Sequence, residues 1–212
     1  MSALSPASES QYWQANYPNL LAQRLERSSQ YLHSVPLADV RAHLASFLTL
    51  LKETHRYPAL TQRALELIST LHPLPLRWGM GYLWEPHLRF ALENSPADRI
   101  EQRCEYQCAL ADVEFFSGQF EPAITLCQAV LSTPAAPPRL LARASRTLFN
   151  CLRSTGQPNL ADELVQRMQP AFLGERPAAQ VPQPLARAWL LFNQCQLERL
   201  REQGKIQAAL DL

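Results

Sequence analysis

Apolar residues in this chain recur every three or four positions and almost never every second one. Side chains on a helix return to the same side after about 3.6 residues, so this spacing predicts helix faces and leaves no pattern for half-buried strands. Leu44, Phe47, Leu48 and Leu51 trace one face. Ile100, Cys104, Cys108, Ala111 and Phe115 trace another. That second run opens on Ser95-Pro96-Ala97-Asp98, which reads as a cap, a first-turn proline and an acid three residues after the cap. Further helices are expected through Ala123, Ile124, Cys127, Val130 and Leu131, then Leu141, Ala144, Leu148 and Leu152, then Leu160, Leu164, Val165 and Met168. The proline-rich stretch PAFLGERPAAQVPQP is expected as a loop before a helix carrying Leu185, Trp189 and Phe192. The expectation is an all-α protein of roughly nine or ten antiparallel helices.

A register repeats within this pattern. Gly118-x4-Ala123, Gly156-x4-Ala161 and Gly204-x4-Ala209 each place a helix-stopping glycine five residues before an alanine. The glycine turns the chain, and the small alanine lets the second helix of a hairpin cross the first closely. The fullest unit is ALADVEFFSGQFEPAITLCQAVLSTP, with Leu110-Ala111 thirteen residues before Ala123 and Cys127 four after it. It resembles the tetratricopeptide repeat, in which a leucine and small-residue pair, an alanine, a bulky residue and a proline recur. Pro134 falls one place early, and Glu114 stands where the family has tyrosine. The glycines lie 38 and 48 residues apart, against about 34 in the family, so loops between units carry insertions. The resemblance implies a right-handed superhelix (α-solenoid) of about four to five antiparallel helix hairpins in one domain, residues 1–212. Residues 1–95 would be degenerate N-terminal helices, with a second helix opening at Tyr57-Pro58, and 96–212 the clearer repeats. The last helix, from near Lys205, has about two turns before Leu212, so that end is expected to fray, to be completed by more chain, or to pack on a second copy.

Composition narrows function by exclusion. A formal net charge of +1 provides no global field for nucleic acid or an anionic membrane. Six glycines among 212 residues argue against phosphate-cradling loops. Gly79-Met80-Gly81 begins like a dinucleotide fingerprint, but Trp84 occupies the third glycine position. No G-x-S-x-G, H-E-x-x-H or C-x-x-C motif is present. The five cysteines all follow the five histidines in sequence, so no local mixed metal-ligand set is expected; Cys104 and Cys108 read as buried thiols. No readable secretory signal and no run of ~20 apolar residues occurs, so a cytoplasmic protein is expected, without cofactor or metal.

Two clusters remain. Trp78, Tyr82, Trp84 and Phe90 form either a core that joins the N-terminal helices to the first clear repeat or an exposed hot spot for a partner. Arg143, Arg146, Asn150 and Arg153 share one helical face by spacings of three, four and three. By resemblance, the first helix of each unit lines a concave groove, and one subset of the family grips a peptide's C-terminal carboxylate with a basic residue and an asparagine four places later. Arg146 and Asn150 stand at that register; Asp112 replaces the asparagine in the preceding unit, and Cys195 takes the place of a further asparagine in the following one. The expected function is a non-catalytic scaffold or adaptor that binds a peptide or helix of another protein, through Arg143, Arg146, Asn150, Arg153 and Asp112. The alternative is a regulatory or sensory repeat module of a larger signalling or transcription-regulating protein. An α-helical enzyme ranks last, because no catalytic constellation is visible.

Overall fold

A computed structural model describes residues 6–173 together with Leu197, Leu200, Arg201 and Gly204. The described residues are all-α, with no strand among them. The chain divides into two compact units, Met1–Ser95 and Pro96–Leu212.

The first unit holds α1 (Pro6–Ser34), α2 (Leu37–Thr54), a 3₁₀ turn (Pro58–Leu60), α3 (Thr61–Leu71), α4 (Leu74–Arg77) and α5 (Gly81–Asn94). Pro36, in an extended conformation as the N-cap of α2, separates α1 from α2, and its carbonyl accepts from the amides of Asp39 and Val40 at 3.0 and 3.3 Å. Tyr57-Pro58 opens the 3₁₀ turn, and α3 follows only from Thr61. The core is built from Leu21 and Leu25 of α1, Leu44 and Leu51 of α2, Leu67 and Ile68 of α3, and Trp84 and Leu88 of α5, all buried.

The second unit holds α6 (Ile100–Phe116), α7 (Phe120–Leu131), α8 (Pro138–Ser154) and α9 (Pro158–Leu173). Ser95, expected to cap α6, instead ends α5, and its hydroxyl donates back to the Ala91 carbonyl at 2.5 Å. Residues 96–99 form a turn, with the Arg99 amide on the Pro96 carbonyl, and α6 starts at Ile100. The hydroxyl finds its acceptor one turn back along α5, so it is spent before the next helix begins. Helix α9 also continues through Pro170 to Leu173, into the segment expected as loop.

The two hairpins of this unit turn in the same way. Gly118 and Gly156 both sit at φ +75, where a Cβ would be strained. At the first, the Gly118 amide donates to Phe115 and the Gln119 amide to Glu114; at the second, Gly156 donates to Arg153 and Gln157 to Leu152. These paired bonds satisfy carbonyls that the helix end leaves open. Five residues on, Ala123 and Ala161 are 0% and 1% exposed. A larger side chain at either would overpack the crossing by about 1–3 kcal/mol.

Gly79 makes the same pair of bonds, with its amide on Leu76 and that of Met80 on Pro75. The position five residues later is Trp84 rather than alanine, which hid this turn in the sequence. Gly204 also has positive φ, and its amide donates to Arg201. Ala209, the short helix from Lys205 and the helix of Leu185, Trp189 and Phe192 lie outside the described residues. Among the described residues no helix is long and apolar enough to cross a membrane.

Candidate interaction face on helices α6 and α8

Helix α8 is enclosed by α6, α7 and α9. Leu140, Ala142, Ala144, Ser145, Thr147, Leu148, Phe149, Cys151 and Leu152 are all buried. What stays partly open along it, after an exposed Arg139, is mainly the half-buried stripe Arg143, Arg146, Asn150 and Arg153. The spacing that aligned these four in sequence therefore corresponds to one polar strip on a helix otherwise packed on its other sides.

The strip faces acids on α6. Arg139 donates to Glu101 at 2.8 Å and to Glu105 at 2.7 Å. Arg143 donates to Glu105 at 3.1 Å and to one oxygen of Asp112 through Nε at 2.9 Å and Nη2 at 2.8 Å. The Thr147 hydroxyl takes the other Asp112 oxygen at 2.6 Å. The partners advance together, 101, 105 and 112 against 139, 143 and 147, so α6 and α8 run parallel. That is the relation required of the first helices of two successive hairpins.

The ladder grades from wet to dry. The exposed Arg139–Glu101 pair contributes little, because water screens it. Arg143, Glu105 and Asp112 are only about a fifth exposed, so within the ladder their bonds are the least screened by water. Burial works against the Arg143 charge, but Asp112 and Glu105 outweigh it and hold the guanidinium pKa above its ordinary value.

Arg143 and Asp112, both expected to meet a partner, are thus bound to each other. Arg153 lies over the ring of the buried Phe149, 5.5 Å from its centroid. Arg146 makes no ion pair among the described residues, and with Asn150 it forms the part of the strip that the α6 acids do not reach.

Behind this face lie Cys104, Cys108, Cys127 and Cys151, all buried and free. Burial raises the pKa of each, that of Cys108 to about 12 and that of Cys151 to about 11, so they pack as neutral thiols. The Cys108 thiol points its hydrogen at the Leu140 carbonyl, 3.6 Å away. Cys195 lies outside the described residues. Among those described, no group of three or more His, Cys, Asp or Glu could hold a metal ion.

In the first unit the aromatic cluster splits. Trp84 is fully buried, Tyr82 is 69% exposed, and Trp78 and Phe90 are half-buried. The tertiary fold brings histidines to this core that sequence distance kept apart. His55, at the end of α2, stacks flat on Phe90 of α5, with centroids 3.8 Å apart and planes at 4°. Its Nε2 lies 3.4 Å from Nδ1 of His87. Burial lowers both imidazoles to about 4, and for His87 the neighbouring His55 adds to the effect. Both rings are neutral near pH 7, and one N–H donates to the other ring. No family model, no curated protein and no solved structure matches this chain.

Proposed function

We propose that this chain is a non-catalytic interaction scaffold that holds a peptide or a helix of a partner protein on the polar face of α6 and α8. In this reading the hairpins α6/α7 and α8/α9 stack with a right-handed superhelical sense, as tetratricopeptide repeats do, and the first helices line the binding side. The observation that supports it is the strip on α8: a helix packed on its other sides leaves open mainly Arg139, Arg143, Arg146, Asn150 and Arg153. The α6 acids engage the first two of these residues. The remaining stretch, Arg146 and Asn150, offers a planar cationic fork and a neutral amide to an acidic segment or a free C-terminal carboxylate. Such a protein would work in the cytoplasm and need no cofactor.

The test begins with an affinity pull-down and mass spectrometry to find the partner. Its affinity is then compared for wild type, Arg146→Ala and Asn150→Ala at low and moderate salt. A charge-assisted bond lost from the strip should weaken binding by roughly ten- to a hundredfold, more at low salt. Two folded variants that bind as tightly as wild type would reduce the strip to a solvated surface.

A further inference from the structure

The hairpin of α1 and α2 carries a second feature, on the unit that carries none of the strip just described. Between the two helices lies a cavity of about 280 Å³. Arg24, Arg27 and Tyr31 of α1 line one wall, at spacings of three and four, and His43, Phe47 and Leu50 of α2 line the other, again at four and three. Both sets are single helix faces, so the cavity follows from how the two helices are paired. Its floor is apolar, because Phe47 and Leu50 are buried. Its aromatic edges are ordered: Tyr31 meets His43 edge-on at 5.5 Å and 89°, and Phe47 at 6.4 Å and 48°.

The charge lining this cavity has one sign. Arg24 and Arg27 are exposed at its rim and make no ion pair among the described residues. Among the described residues no Asp or Glu lines the cavity, whereas Ser28 and Ser46 add two hydroxyls. This contrasts with α6 and α8, where acids on the facing helix take up Arg139 and Arg143. A slot with an apolar aromatic floor and two guanidiniums at its mouth is complementary to a flat apolar body that ends in an anion. Water alone satisfies the cations but wastes the floor, and a neutral aromatic fills the floor but leaves the cations with water.

We propose that the α1–α2 cavity is a binding site for a small aromatic carboxylate, with the ring lying on the apolar floor against Tyr31 and Leu50 and the carboxylate held at the mouth by Arg24 and Arg27. A body of one or two fused rings matches the volume, since 280 Å³ lies just under the roughly 300 Å³ at which drug-sized pockets begin. The guanidiniums are solvated, so selectivity for the anion is salt-sensitive.

The experiment uses the full chain and follows its NMR resonances while 2-naphthoate or the neutral 2-naphthylmethanol is added, at low and moderate salt. Naphthoate is expected to give saturable shifts confined to α1 and α2, with a Kd of about 1 mM or below and at least tenfold tighter than the alcohol. The double variant Arg24→Gln/Arg27→Gln, at exposed positions that leave the melting curve unchanged, should bind the two compounds alike. The Arg24→Lys/Arg27→Lys variant retains charge without the fork and should fall between them. Equal binding of acid and alcohol by wild type, a naphthoate preference that survives the glutamine variant, or no saturable shift at up to about 10 mM ligand would each overturn the proposal.

Discussion

Acidification below neutral pH should destabilise this protein through His55 and His87. Both imidazoles are held at about 4 in the folded chain and return to about 6.5 when it unfolds. Between those values the unfolded chain binds more protons than the folded one, so stability rises with pH. The contribution is fully present above pH 6.5 and is lost as pH falls toward 4. Going from pH 7 to pH 5, a group shifted this far loses about 2 kcal/mol by linkage. His87, almost completely buried, should contribute close to that. His55 is only half-buried, and solvent screening reduces its share to about 1 kcal/mol. The geometry explains why the second proton is the harder to add: two imidazolium rings 3.4 Å apart would have no acceptor between them. Urea unfolding at pH 7, 6 and 5 reads the loss as a drop in midpoint, and ring NMR titration assigns it to residues. A stability that is flat from pH 7 to 5, or His55 and His87 rings that titrate near 6.5, would refute the reasoning.

Three further outcomes are expected. Asp112→Ala should cost about 2–3 kcal/mol in urea unfolding, because it strips Arg143 and Thr147 of their shared acceptor, whereas Glu101→Ala should cost under about 1 kcal/mol, its pair being exposed; equal effects would show that the ladder does not strengthen with burial. Gly118→Ala and Gly156→Ala should each destabilise by about 1–2 kcal/mol from backbone strain alone, since no neighbour lies within 4 Å of the added Cβ, and a neutral effect at either would contradict the positive-φ turn. Cys104, Cys108, Cys127 and Cys151 should resist a thiol reagent at pH 8 until urea is added, as peptide mass mapping would report; rapid native labelling of Cys108 would show that its thiol is neither buried nor neutral.

The all-α class was legible in the sequence because it needs only a period. Apolar residues three and four apart leave a chain no other way to bury them, and the glycine–alanine register marked the two hairpin turns by residues whose backbone or size cannot be replaced cheaply. The positions of Arg143, Arg146, Asn150 and Arg153 on one strip were legible for the same reason. Their engagement was not. Asp112 and Glu105 are about thirty to forty residues from the arginines they bind, and only the parallel approach of α6 and α8 turns one surface residue into the partner of another. Ser95 carries the letters of a helix cap, yet its hydroxyl was taken by the nearer carbonyl of Ala91, a competition decided by where α5 ends. The turn at Gly79 carries no such mark, because Trp84 stands where the other two turns have alanine. His55 and His87 are 32 positions apart in a chain with no pattern joining them; the packing of α2 on α5 brings the rings together, and burial there, which no local stretch of sequence encodes, sets their charge.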